Sequence, residues 1–190
     1  MKTTQKLLFA TLFISTFYAC SSDDPEPVNE EEVITTLTAT LTPSGGGTTI
    51  ILKSFDADGT DGPTAPIITI SPQNATLDTN TTYVGEIEVL NETENPAEDI
   101  TEEVLDEDEE HQFFFTSSSS IITTIYNDMD DDGNPIGVSF NLVTASAGSA
   151  NLTITLLHEP DKNAAGVSGG NIANAGGEED VVATFGLTIQ

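Results

Sequence analysis

Apolar side chains recur at every second position along much of this chain, and this alternation restricts the fold more than any other feature. It is clear from Ala150 to Leu156 and again from Val181 to Ile189, with threonines between. Such alternation is typical of strands that bury one face. Weaker runs predict further strands at residues 33–41, 48–55, 67–71, 83–89, 112–116, 120–126 and 136–142. With turn residues between the runs, the sequence predicts an all-β, immunoglobulin-like antiparallel β-sandwich.

One segment breaks the alternation and predicts a single short helix. Asn95 is followed by Pro96, which is the order of an N-cap residue and a proline in the first helical turn. Ile100 and Val104 are four residues apart, so they would share one face of that helix. We expect the helix to open at Asn95 and to end near Asp106.

The first nineteen residues have the pattern of an export signal. Lys2 and Lys6 precede a short apolar run, residues 7–17, and the small residue Ala19 follows shortly after it. A positive start, an apolar centre and a small residue before the cut are the parts of a signal peptide. The apolar run is too short to span a membrane. We therefore expect residues 1–19 to be removed.

The chain's only cysteine, Cys20, comes directly after this predicted cut. Cleavage before a cysteine resembles the lipobox of bacterial lipoproteins, which implies that Cys20 is lipidated and begins the mature protein. The acidic residues that follow resemble the surface-export signals of Bacteroidota lipoproteins. This resemblance implies a lipid anchor in the outer membrane, on the cell surface or alternatively on the periplasmic face. Residues 20–32 would form a tether, and residues 33–190 the domain.

The charge of the chain limits its partners. It has 32 acidic residues against 4 basic ones and a formal net charge of -28. Phosphates of nucleic acids are bound by Lys and Arg, so we expect no nucleic-acid partner. A charge this negative draws cations, although it also serves solubility alone.

Two histidines are the strongest candidates for chemistry. His111 follows Glu110, and His158 precedes Glu159. One histidine begins a predicted strand and the other ends one, so neighbouring antiparallel strands would bring the two imidazoles together. With Glu110 and Glu159 in support, they would suit zinc, copper or iron. The alternative is two unrelated strand-end histidines with ordinary hydrogen bonds.

Two loops carry aspartates at alternating positions. The first loop has Asp56, Asp58 and Asp61, and the second has Asp128, Asp130 and Asp132. Alternating aspartates followed by glycine open many calcium loops. Ser139 stands where an EF-hand would have its closing glutamate, so a complete EF-hand is absent. Aspartate and glycine are also common turn residues, and both interpretations stay open.

The segment 166–170 matches the Gly-x-Ser-x-Gly pattern of serine hydrolases. That pattern needs a strand before it and a helix after it, and the surrounding Gly, Asn and Ala residues predict neither. We therefore expect no enzyme.

Several segments are informative as a set. They are Leu90–Glu92, Asn95–Ile100, Glu110–Phe114, Gly133–Gly137, Leu157–Pro160 and Ala175–Glu178. Together they resemble a family of Bacteroidota lipoproteins whose genes often lie beside TonB-dependent outer-membrane receptors. The resemblance covers most of residues 33–190 and implies a partner receptor and a role in uptake.

The sequence thus leaves two hypotheses for function. The first is a ligand-binding accessory of a TonB-dependent transporter, which captures a metal ion or metal chelate near His111 and His158. The second is a structural or adhesive immunoglobulin-like module that is stabilised by calcium.

Overall fold

Strands make up almost half of the chain that the computed structural model describes, which is residues 32–59 and 62–190. The predicted signal peptide, Cys20 and the tether up to residue 31 lie outside the described residues. The strands are β1 Thr36–Pro43, β2 Ile50–Phe55, β3 Ile67–Ser71, β4 Thr82–Asn91, β5 Glu98–Asp99, β6 His111–Ser117, β7 Ile122–Tyr126, β8 Ser139–Thr144, β9 Gly148–His158 and β10 Glu178–Ile189. One α-helix, α1, spans Ile100–Asp106, and short 3₁₀ turns cover Val167–Gly169 and Ile172–Asn174.

The strands form two antiparallel sheets. The larger has the order β3-β2-β1-β4-β8-β7, with β5 paired to β4, and the smaller has the order β10-β9-β6. One apolar core includes Leu37 of β1, Phe140 of β8 and Ile154 of β9, so it takes side chains from both sheets. This confirms the predicted all-β sandwich with one short helix, because each sheet buries one face against the other. Its immunoglobulin-like detail stays a prediction.

The alternation of the sequence is visible in the burial of β10. From Val181 to Ile189 every second residue is buried and the residues between are exposed. The alternation fails at the start of this strand, where Asp180 and Val181 are both buried. The pairing of β10 with β9 shifts register between Glu179 and Val181. A β-bulge of this kind re-aims a side chain, and here it places Asp180 on the buried side.

The helix begins later than the sequence predicts. Its N-cap is Asp99, whose carboxylate accepts a hydrogen bond from the Thr101 backbone N–H at 3.0 Å. The predicted N-cap Asn95 is therefore wrong. The physical reason is that Glu98 and Asp99 pair with the end of β4, which keeps the chain extended up to Asp99. The helix ends at Asp106, as predicted.

One predicted strand is shorter than expected. The run at residues 136–142 becomes β8 only from Ser139 onward. Gly137 has a φ of 92°, which is outside the strand region, and its N–H donates to Asp128 Oδ1 at 2.8 Å. A turn held by Asp128 therefore replaces the first part of that strand.

Within the described residues, no helix is both long and apolar enough to cross a membrane.

Candidate metal centre

The two histidines lie side by side at one end of the smaller sheet. His111 begins β6, His158 ends β9, and the two residues are direct partners in the antiparallel pairing. Their rings are stacked, with centroids 4.5 Å apart and an angle of 27° between planes. Both are buried, with exposed fractions of 0% and 3%. The strand register thus brings together the two imidazoles that the sequence singled out.

Glu32 joins the histidines from the N-terminal side. Its Oε1 lies 3.1 Å from His111 Nε2, and its Oε2 lies 3.7 Å from His158 Nδ1. Only 4% of the Glu32 side chain is exposed. The sequence analysis placed residue 32 at the end of the tether, whereas the Glu32 side chain packs against the domain.

Asp180 completes the group from β10. It is buried, and the bulge described above turns it toward the histidines. Glu32, His111, His158 and Asp180 each offer a ligand atom, and these atoms all lie within 4.8 Å of one another. We call this set the buried quartet. Its four members come from four places in the chain, so only the folded sandwich assembles it.

The backbone at the end of α1 orients His111. His111 Nδ1 lies 3.1 Å from the carbonyl oxygen of Glu107, which is the C-cap of the helix. Because a carbonyl only accepts, Nδ1 carries the proton and donates it. Nε2 is the nitrogen that faces Glu32. A histidine that ligates a metal through one nitrogen commonly donates its other N–H to a backbone carbonyl in this way.

Glu32 and His111 alter each other's ionisation. Burial raises the pKa of the Glu32 carboxyl, but the hydrogen bond and charge of His111 outweigh burial, so this pKa lies below its usual value. Burial lowers the pKa of His111, but the hydrogen bond and charge of Glu32 outweigh it, so the pKa of His111 is raised. The charge of Asp180 adds to that rise. Each group thus favours the charged form of the other.

A buried carboxylate oxygen of the quartet has unused binding capacity. Glu32 Oε2 has no hydrogen-bond partner among the described residues. Buried polar atoms nearly always have a partner, so this oxygen indicates a site that a ligand completes.

Two imidazoles and two carboxylates are a donor set for a divalent transition metal. Zinc takes four N and O ligands in a tetrahedron, with bonds of about 2.0–2.2 Å. Copper and ferrous iron accept the same donor types. The donor atoms lie within 4.8 Å of one another, whereas tetrahedral zinc ligands are separated by about 3.3 Å. Small side-chain rotations toward a common centre would close this difference.

The two predicted supporting glutamates have different positions. Glu110 Oε2 lies 3.7 Å from His158 Nε2, and 57% of the Glu110 side chain is exposed. Glu159 is exposed and has a φ of 48°, which ends β9. It is not among the described residues whose ligand atoms gather around the histidines. The structure therefore retains Glu110 beside the site and argues against Glu159 as a ligand.

The second aspartate loop holds an internal cation. Lys162 Nζ lies 3.0 Å from Asp130 Oδ2 and also donates to the carbonyls of Asp108 and Pro135. The Lys162 and Asp130 side chains are 4% and 1% exposed. The ammonium group therefore takes the position that the sequence interpretation gave to calcium.

The neighbouring aspartates do not restore a calcium site. Asp128 accepts backbone N–H groups from Gly137 and Ser139, each at 2.8 Å, and so holds the turn before β8. Asp132 is exposed. Two of the three predicted calcium ligands thus accept hydrogen bonds from protein donors, which argues against calcium in this loop, and the calcium site stays a prediction.

The first aspartate loop brings two carboxylates together. Burial raises the pKa of Asp56, and the adjacent Asp58 raises it further. Asp58 Oδ2 accepts the Thr64 backbone N–H at 3.1 Å. Asp61 lies outside the described residues, so a calcium site in this loop stays a prediction.

The Gly-x-Ser-x-Gly segment lacks the setting of a hydrolase nucleophile. Ser168 lies in the 3₁₀ turn Val167–Gly169, and turns rather than a strand precede it. Ser168 therefore lacks the strand before it and the helix after it that this pattern needs.

No family model, no curated protein and no solved structure matches this chain. The function therefore has to be argued from the site itself.

Proposed function

We propose that this protein is an outer-membrane lipoprotein that binds a divalent transition metal, and that it passes the ion to a TonB-dependent transporter. The observation that supports the proposal best is the convergence of Glu32, His111, His158 and Asp180 on one buried point. Zinc is the first candidate, because it accepts mixed imidazole and carboxylate ligands in a closed site.

The charge of the buried quartet favours a divalent ion. Glu32 and Asp180 place two carboxyl groups in this buried environment. Burying an uncompensated charge is costly. A divalent cation with two neutral imidazoles and the same two carboxylates is electrically neutral. Metal binding would thus release the proton that Glu32 and His111 share, as expected when a metal takes a protonated ligand.

The membrane part of the proposal depends on the sequence. Cys20 follows an export signal and resembles the lipidated cysteine of bacterial lipoproteins. The resemblance to lipoproteins encoded beside TonB-dependent receptors supplies the partner.

The first test is the thermal stability of residues 21–190, stripped of metal, with zinc, copper, iron and calcium in turn. An ion that binds only the folded state, at about 100 times its Kd, adds about 2.7 kcal/mol. For a domain of this size that is a rise in Tm of about 5–10 °C. We expect such a rise with a transition metal, and we expect His158→Ala to abolish it and His111→Ala to reduce it.

The matched control is Glu159→Gln, which removes an exposed charge beside His158 and should leave the rise intact. If no transition metal raises the Tm, the metal-binding proposal is wrong. Capture of the cognate receptor by the lipidated protein from outer membranes tests the transporter separately. A metal-loaded protein that never associates with a TonB-dependent receptor would overturn that part alone.

A further inference from the structure

We propose that His158, Glu107 and Glu110 form a second, outer metal position, through which the ion reaches the buried quartet. The inference rests on the proposed function and deepens it, because it assigns the path of the ion and a separate role to each nitrogen of His158.

The two ring nitrogens of His158 face different carboxylates. Nδ1 lies 3.7 Å from Glu32 Oε2, inside the buried quartet, and Nε2 lies 3.7 Å from Glu110 Oε2, outside it. Glu107, Glu110 and His158 each offer a ligand atom, and these atoms are within 4.8 Å of one another. His158 therefore belongs to two groups that share no other residue.

The state of His158 Nε2 is an independent indication of a ligand. The residue is 3% exposed, and Nε2 has no hydrogen-bond partner among the described residues. A buried imidazole nitrogen ordinarily has a partner. Since this nitrogen faces Glu110, the outer group combines two carboxylates with an uncommitted nitrogen donor.

The different solvent exposure of the two positions indicates which one a cation from solution reaches first. Glu107 and Glu110 are exposed, whereas His111, His158 and Asp180 are buried. A hydrated cation from solution therefore meets the outer carboxylates first. Glu103 and Glu107 also lie near Glu32, with ligand atoms within 4.8 Å of one another, so carboxylates extend from the outer position to the quartet.

The chemistry of imidazole makes the two positions alternatives. A neutral imidazole has one N–H and one nitrogen lone pair, so it binds one metal ion at a time. In the outer position Nε2 binds the ion, and Nδ1–H donates to Glu32. When the ion moves inward, the Nε2–metal bond breaks and an Nδ1–metal bond forms. The ring proton leaves Nδ1 and returns to Nε2, where it donates to Glu110. No electron transfer is involved.

Cupric ion is a suitable probe, because its electron paramagnetic resonance spectrum counts nitrogen ligands. Residues 21–190, which contain the whole compact domain, should bind one Cu²⁺ with two nitrogen donors. His111→Ala should leave one Cu²⁺ with one nitrogen donor. Adding Glu107→Gln and Glu110→Gln to that variant should weaken copper binding by at least about tenfold, as expected when two close anionic ligands are removed.

The matched control is Glu94→Gln with Glu109→Gln, which removes two exposed charges that belong to neither group. In the His111→Ala background it should leave copper affinity unchanged. Should His111→Ala fail to fold, Glu32→Gln serves as the variant that weakens the quartet. With the quartet intact, Glu107→Gln and Glu110→Gln should slow copper uptake relative to the control and leave two nitrogen donors.

Equal effects of the two glutamine pairs would overturn the outer position, while two-nitrogen copper in the parent would keep the proposed function. One-nitrogen copper that depends on Glu107 and Glu110 in both parent and His111→Ala would support the outer position and overturn the quartet as the metal site. A parent that binds no copper would overturn both.

Discussion

Two buried charged clusters lie in the described part of the chain, and they are balanced in different ways. Around Lys162, one ammonium group meets one carboxylate and two carbonyl oxygens. In the buried quartet, two carboxylates meet two imidazoles, and Glu32 Oε2 lacks a hydrogen-bond partner among the described residues. The protein itself supplies the hydrogen-bond partners of the first cluster, whereas the second leaves a carboxylate oxygen that a metal ion could bind.

The comparison separates structural acids from candidate ligands in a chain that is rich in both. Near Lys162 the protein supplies its own cation, so Asp130 needs no metal. The quartet contains no lysine or arginine, so a metal ion can supply the positive charge there. The balance of the buried partners therefore matters more than the density of acidic residues.

The largest expected effect concerns the cluster around Lys162 and Asp130. Lys162→Met leaves Asp130 as a buried charge without its cation, which costs about 3–5 kcal/mol. Lys53→Met is the matched control. Lys53 pairs with Glu92 at 3.3 Å, but its side chain is 40% exposed, and exposed pairs contribute about 0–1 kcal/mol. Urea unfolding measures both variants. Equal losses of stability would contradict the structural role of Lys162.

The next largest effect concerns Asp180, a candidate ligand that the sequence analysis did not predict. Asp180→Asn removes an anionic ligand from the quartet, so we expect zinc affinity to fall at least about tenfold, or 1.4 kcal/mol. Glu159→Gln removes an exposed charge and should leave the affinity unchanged. Isothermal titration of each variant gives the two affinities. A larger loss with Glu159→Gln would restore the ligand that the sequence predicted.

A smaller effect is expected from Asp128. It accepts two backbone N–H groups through its two oxygens, and asparagine offers only one acceptor. Asp128→Asn should therefore cost about 1–3 kcal/mol through one unmade hydrogen bond. The exposed Asp132→Asn should cost nothing measurable. Urea unfolding with and without calcium tests both variants, and a parent that calcium stabilises through these residues would reinstate the calcium interpretation.

The smallest effect is the pH dependence of the metal-free protein. His111 has a raised pKa, so its contribution to stability is complete below its usual 6.5 and is lost as the pH rises through the folded-state value. Glu32 has a lowered pKa, so its contribution is complete above 4.5 and is lost as the pH falls. Together they give full stabilisation between these two values.

Urea unfolding across this range, with a chelator present, measures the dependence. We expect Glu32→Gln to reduce both the loss of stability above pH 6.5 and the loss below pH 4.5. The pKa of Asp130 is also lowered, because Lys162 outweighs the effect of burial. The contribution of Asp130 to stability is therefore lost only as the pH falls below about its usual 3.8. Asp130 does not affect the loss of stability above pH 6.5. A parent whose stability rises between pH 6.5 and 8 would contradict the Glu32–His111 pairing.

The alternation of apolar residues in the sequence predicted much of the fold. It also predicted two of the four quartet residues, His111 and His158. His111 and His158 each continue the apolar face of a strand, so their meeting depended only on the pairing of those two strands. The helix start was placed too early at Asn95, because local capping signals do not show that Glu98 and Asp99 pair with β4.

The other half of the quartet had no comparable signal. Glu32 lies among acids and proline that predict a tether, and its burial depends on a contact with residues far along the chain. Asp180 is turned inward by a bulge, which breaks the alternation that identified every other buried position of β10. Lys162 offered one usable clue, since it is one of two lysines after Cys20 in a strongly acidic chain.

The most direct test of the central claim is a crystal structure of the zinc-loaded protein with anomalous diffraction at the zinc edge. We expect one strong peak about 2.0–2.1 Å from the Nε2 atom of His111 and from a nitrogen of His158. Oxygens of Glu32 and Asp180 should complete a tetrahedron. Zinc bound only at surface carboxylates, with His111 still hydrogen-bonded to Glu32, would contradict the account.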